Sequence, residues 1–144
     1  MKNIFLLLLL TVFFGYSQTD KETIISLLEK ESATWRNGDI EAHASCWSIQ
    51  PYSRIIVSTA DGNSTDVPPA IMINPPKNMV GQGGTSKNSN YKMNIIGNHA
   101  WVSHDEESID TLGAINYTYE IRILEKIDGN WKLVGQSIHP RKIN

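Results

Sequence analysis

Residues 113–139 read GAINYTYEIRILEKIDGNWKLVGQSIH, and this stretch decides the fold. Apolar side chains recur at the two-residue period of half-buried strands on both sides of Asp128-Gly129. That dipeptide favours a β-hairpin turn because both positions accept a left-handed backbone. With a two-residue loop, Ile127 faces Asn130, Glu125 faces Lys132 and Leu124 faces Leu133. Carried to the strand ends, this register puts Trp131, Leu124, Leu133, Arg122, Gly135, Glu120, Ser137, Thr118 and His139 on one face. Ile123, Val134, Ile121, Gln136, Tyr119 and Ile138 share the other. The first face changes from apolar to polar away from the turn, which suits a packed narrow end and an open ligand site. Glu120, Arg122, Ser137 and His139 are therefore expected to line a pocket, and the aliphatic reverse face is suited to a dimer contact.

Two further strands precede this hairpin, at 91–96 and 99–109, with a turn at Gly97-Asn98. On the second of them His104 and Glu106 point the same way as Ala100 and Val102. Between 80 and 90 the sequence VGQGGTSKNSN predicts a mobile loop or lid. Its Gly83-Gly84-Thr85-Ser86-Lys87 has the wrong order for a phosphate loop. An earlier strand is expected at 52–59, closing at Asp61-Gly62, followed by a short helix from Pro68-Pro69 to Ile73.

The N-terminal third is helical. Thr19 and Glu22 fit a capping box, Ile24, Leu27, Leu28, Glu31 and Trp35 form the buried stripe, and Asn37-Gly38 stops the helix. Asp39 caps a second helix with Ile40, His43, Ala44 and Trp47 on one face, ended by Pro51. A histidine on a buried stripe must find a partner or face a cavity, so His43 is a pocket candidate beside Trp35 and Trp47. Helices followed by consecutive strands predict an α+β domain, with N-terminal helices packed on a strongly curved antiparallel sheet.

Ahead of the helices, Lys2, an unbroken apolar run from Ile4 to Phe14, and small residues at Gly15 and Ser17 predict a signal peptide over 1–17. The run is too short to span a bilayer, and no cysteine follows it for lipid attachment. A single domain over 18–144, exported to the periplasm or outside the cell, is expected. Losing Lys2 takes the net charge from −2 to −3. A mildly acidic chain with no basic cluster argues against nucleic acid and, after cleavage, against a membrane surface. The lone Cys46 makes no intrachain disulfide and is expected to be buried.

Glu31 with Trp35-Arg36-Asn37-Gly38-Asp39, Trp47 before Pro51-Tyr52, Ala100-Trp101-Val102 and the run from Arg122 to Val134 resemble the nuclear transport factor 2-like superfamily. The branch is that of SnoaL-like exported bacterial domains. The resemblance implies a cone, with helices in the concave face of the sheet, a pocket at the wide end and dimerisation through the outer face. It implies no reaction, because the superfamily holds isomerases, dehydratases, cyclases and hydrolases beside binding and association domains. In the SnoaL-like pattern the strand after the turn often presents histidines where this chain has Gly135 and Ser137.

The leading expectation is a non-catalytic domain that binds a small apolar or amphipathic molecule, lined by Trp35, His43, Trp47, Tyr52, Glu120, Arg122, Ser137 and His139. No cofactor or metal is expected: His99 and His104 have opposite strand parity, and no nucleophile elbow accompanies Ser137 and His139. A proton-transfer enzyme is the alternative, with His104 or His139 as base, Glu106 beside His104, and Arg122 stabilising developing negative charge. A third reading is an interaction module or homodimer that uses the outer sheet face.

Overall fold

The computed structural model describes residues 19–142, so the expected leader at 1–17 lies outside the described residues. Helices α1 (Asp20–Asn37) and α2 (Ile40–Ala44) come first. Strands β1 (Arg54–Ser58) and β2 (Ser64–Val67), a single 3-10 turn (Pro69–Met72), and strands β3 (Thr85–Ile96), β4 (His99–Ile109), β5 (Ile115–Ile127) and β6 (Asn130–Pro140) follow. The six strands form one sheet in the order β2-β1-β6-β5-β4-β3. It is mixed, because β1 runs parallel to β6 while the other neighbours are antiparallel. The expected antiparallel sheet is present, with the β1–β6 pair as its one parallel neighbour. Strands β2 to β5 lie between β1 and β6 in the chain, giving it the long return that a parallel pair needs.

Helix α1 starts at the expected box: Glu22 N–H donates to Thr19 Oγ1 and Thr19 N–H donates to Glu22 Oε2. Gly38 ends it in the left-handed region, at φ 75°. A Cβ on Gly38 would meet the Gly81 Cα at 3.1 Å, so the two backbones approach in a way only glycine permits. The Gly81 and Gly83 N–H groups donate to the Trp35 and Arg36 carbonyls, each at 3.0 Å. Residues 80–84 thus cap the exposed carbonyls of α1 instead of forming a lid. The rest of the expected loop is strand: β3 pairs with β4 from Thr85↔Ile109 to Ser89↔Asp105, before an irregularity at Asn90. Its Ser, Lys and Asn content concealed this, since a sheet edge tolerates polar residues and charge.

Ile24 and Leu28 pack with Cys46, Trp47, Ile55, Ala100, Val102, Leu124, Trp131 and Leu133 into one core. Each fully buried aliphatic side chain there stabilises by roughly 1.5–3 kcal/mol. Cys46 is free and buried, as its sequence context predicts.

The decisive hairpin keeps its expected register only near the turn, where Ile127↔Asn130 runs to Leu124↔Leu133. Val134 is then an extra residue, and Ile123 pairs with Gly135. Beyond that bulge the faces of β6 are exchanged. Gln136 and Ile138 join Arg122 and Glu120 on the helix-covered face, while Ser137 and His139 pair with Ile121 and Tyr119 on the reverse. Gly135 follows the bulge and pairs with Arg54 of β1 on one side and Ile123 of β5 on the other.

Candidate functional site

Between α1 and the covered face of the sheet lies a cavity of about 270 Å³. Successive turns of α1 supply Glu31, Ser32, Trp35 and Arg36. Alternate residues of the strands supply Glu106 from β4, Thr118, Glu120 and Arg122 from β5, and Gln136 from β6. Beside this polar wall the lining is apolar, with Ile55 and Val57 of β1, Val67 of β2, Met72, Met79 and Ile138. The volume is slightly below the roughly 300–1,000 Å³ of drug-sized sites, which points to a small ligand.

The polar wall is a buried ionic network. Arg122 is 3% exposed and donates to Glu120 and to Gln136, while its guanidinium lies 3.3 Å from Glu31 Oε2. Thr118 donates to the other Glu120 oxygen at 3.1 Å. Arg36 reaches Glu106 Oε1 at 2.5 Å, and Ser32 donates to Glu106 Oε2 at 2.9 Å. Behind the wall, His43 has Nδ1 2.8 Å from the Met72 carbonyl and Nε2 3.1 Å from Glu31 Oε1. Burial of so many ions is tolerated because each has an opposite charge in contact.

These contacts set the protonation states. Burial pushes the Glu31 carboxyl up, but Arg122 and His43 together outweigh it and hold the group below its ordinary value. Burial also works against the Arg122 cation, and Glu120, Glu31 and Glu106 more than offset it. His104 is held below the usual imidazole range, first by burial and then by Arg122, so it is neutral at pH 7. Its Nε2 has no hydrogen-bond partner and lies 3.7 Å from Glu120, and its ring sits 5.3 Å from Tyr91. Burial raises the Tyr91 hydroxyl to about 12.

Of the residues singled out in the sequence, Trp35, Glu106, Glu120 and Arg122 line the cavity. His43 is buried behind it, between the rings of Trp35 and Trp47 at 4.9 and 6.4 Å. Trp47 belongs to the core, bridged to Leu133. Tyr52 is 63% exposed and donates to Glu125 at 2.8 Å, because the chain turns outward before β1 begins. The bulge carries Ser137 and His139 to the reverse face. There Ser137 Oγ is 2.6 Å from His139 Nε2, and His139 Nδ1 is 3.0 Å from Ser58 Oγ. His104 is buried beside the network but outside the wall. The sequence reading missed Ser32, Arg36 and Gln136 as lining residues, and did not use Glu31 as one. The available signal was Glu31, a carboxylate on an apolar helical stripe, which requires a buried cation opposite.

No group of three or more His, Cys, Asp or Glu residues with metal-binding geometry occurs among the described residues. None of their helices is long and apolar enough to cross a membrane.

Neither protein-family models nor curated proteins yield a match to this chain. Solved structures do. An NTF2-like protein from Cytophaga hutchinsonii is 17% identical, with a TM-score of 0.62 over 86% of this chain and 100% of that one. A protein of unknown function with a cystatin-like fold from Nostoc punctiforme is 14% identical, with a TM-score of 0.65 over 85% and 91%. The association domain of C. elegans CaMKII is 18% identical, with a TM-score of 0.60 over 83% and 94%. Identity this low speaks to architecture and not to activity. Six strands in a mixed, open sheet, with an N-terminal helix across one face, give this chain the α+β NTF2-like fold.

Proposed function

We propose that the cavity binds a small amphipathic molecule and that the domain acts by binding rather than by catalysis. The observation that carries this reading is the mixed lining of the cavity, in which the apolar side chains of Ile55, Val57, Val67, Met72, Met79 and Ile138 stand beside the hydrogen-bonding groups of Glu120, Arg122 and Gln136. A ligand with an apolar body and one polar end satisfies both. Proton transfer has less support, because His104 stands outside the wall and His139 lies on the opposite face. The apolar run before residue 18 supports export, so the ligand would be met outside the cytoplasm.

Calorimetric titration of the protein without residues 1–17 with hexanol tests the reading. Heat of binding is expected in the wild type and absent in Ile138→Trp, whose indole fills the cavity. Binding that persists unchanged in a folded Ile138→Trp protein overturns the assignment.

A second reading is favoured by a different surface. Trp101, Tyr119 and Ile123 stand exposed on the reverse face, with Trp101 and Ile123 directly paired across β4 and β5. This stripe suits an isologous homodimer, in which identical apolar patches cover one another. The similarity to an association domain is compatible with such a role.

A further inference from the structure

Every ionised side chain in the polar wall is already matched within the protein. His43 and Glu31 behave as one unit: Nδ1 faces a carbonyl and must carry a proton, while Nε2 faces a carboxylate. Glu31 is matched by contact, with its other oxygen 3.3 Å from the Arg122 guanidinium. Arg122 is matched by Glu120, and Arg36 by Glu106. Behind the wall, His104 and Tyr91 are neutral at pH 7. The two arginines, which taken alone would advertise an anion site, therefore carry no surplus positive charge.

Resting on the binding reading above, we infer that the ligand of this cavity has an uncharged polar end, such as an alcohol, ketone or amide, and that carboxylates and amines are rejected. A charged head would enter as an unmatched ion beside a balanced network, and the cost of taking it from water would go unrepaid. A neutral head needs only hydrogen bonds. With its oxygen turned to Arg122, Gln136 keeps its amide N–H groups for an acceptor, and the carboxylates and the Thr118 hydroxyl retain lone pairs for a donor.

Hexanol, hexanoate and hexylammonium share one chain length and differ in head charge. Titrated by calorimetry into the protein lacking residues 1–17 at neutral pH, hexanol is expected to bind about tenfold or more tightly than either ion. Glu106→Gln leaves the Arg36 cation unmatched and should move the preference toward hexanoate. Arg36→Gln leaves the Glu106 carboxylate unmatched and should move it toward hexylammonium. Wild-type protein that binds either ion as tightly as hexanol overturns the neutral-ligand inference and leaves the binding reading standing. Variants that fold, bind hexanol and keep the wild-type order also overturn it. Wild-type protein that binds none of the three overturns both. If the variants do not fold, the order of the three ligands on the wild type decides alone.

Discussion

Strand β5 has two faces that reverse the ordinary rule of burial. On the covered face Glu120 and Arg122 are each 3% exposed, while Tyr119 and Ile123, which flank them on the reverse face, are 52% and 40% exposed. The chain buries charge and shows aromatic and aliphatic surface to the outside. Each face has a different warrant. The ions inside each touch an opposite charge, Arg122 being shared by Glu31 and Glu120, and they border a cavity, so they are a built polar wall. The apolar side chains outside are only partly covered by the described residues, which is what favours the reading of this stripe as an interaction surface. Burial alone thus marks neither core nor surface in this fold; pairing and cover do.

The largest expected effect lies on the inner face. Arg122→Met removes the cation between Glu31 and Glu120 and leaves two buried carboxylates without it, a loss of about 3–5 kcal/mol. Against a typical domain stability of about 5–15 kcal/mol this approaches unfolding. Urea denaturation of the single variant and of Arg122→Met with Glu120→Gln measures it. The double variant should recover part of the loss, because one stranded charge has gone. A single variant as stable as the wild type would mean that the network is ornamental.

The next effect depends on pH and comes from the same face. The folded chain holds His104 below the unfolded imidazole value of 6.5, so the unfolded state takes up a proton first on acidification. Stability should fall as pH drops below about 6.5, and His104 should contribute no slope above it. Glu31 acts lower. Its folded value is depressed below 4.5, so the stability it supplies is present above pH 4.5 and is lost as pH falls through the folded value. Urea midpoints at about pH 7.5 and about pH 5.5 should differ in the wild type and converge in His104→Gln. A slope that survives in His104→Gln would assign it to another group.

Much of this architecture was legible in the sequence because it is local. Thr19, Glu22 and Gly38 bound α1, and Asp128-Gly129, at φ 49° and 78°, closes the hairpin as expected. The parities that paired His104 with Glu106 and Glu120 with Arg122 held, and the uninterrupted β4–β5 pairing puts all four on one face. Parity failed on β6, where the bulge at Val134 shifted every later side chain to the other face. Gly135 was the warning, since a glycine inside a strand pattern often marks a bulge. The hidden start of β3 and the parallel β1–β6 pair were illegible for a different reason. Both depend on distant partners, and a polar edge strand has no period strong enough to announce them.

The smallest effect on the monomer is the most informative about the outer face. Trp101 and Ile123 are paired across strands, and each keeps about two-fifths of its surface in water at 42% and 40% exposure. Trp101→Ser with Ile123→Ser removes apolar area that the isolated chain only partly buries and strands no charge, so unfolding of the monomer should shift by less than in Arg122→Met. If the stripe is an isologous interface, each substitution acts on both protomers. The wild type should then sediment as a dimer and the double variant as a monomer. A wild type that is monomeric at every concentration removes the homodimer and leaves the exposed stripe for another partner. A double variant that remains dimeric places the contact elsewhere. A monomer destabilised as severely as Arg122→Met would show instead that the outer residues are core, and the contrast between the two faces of β5 would disappear.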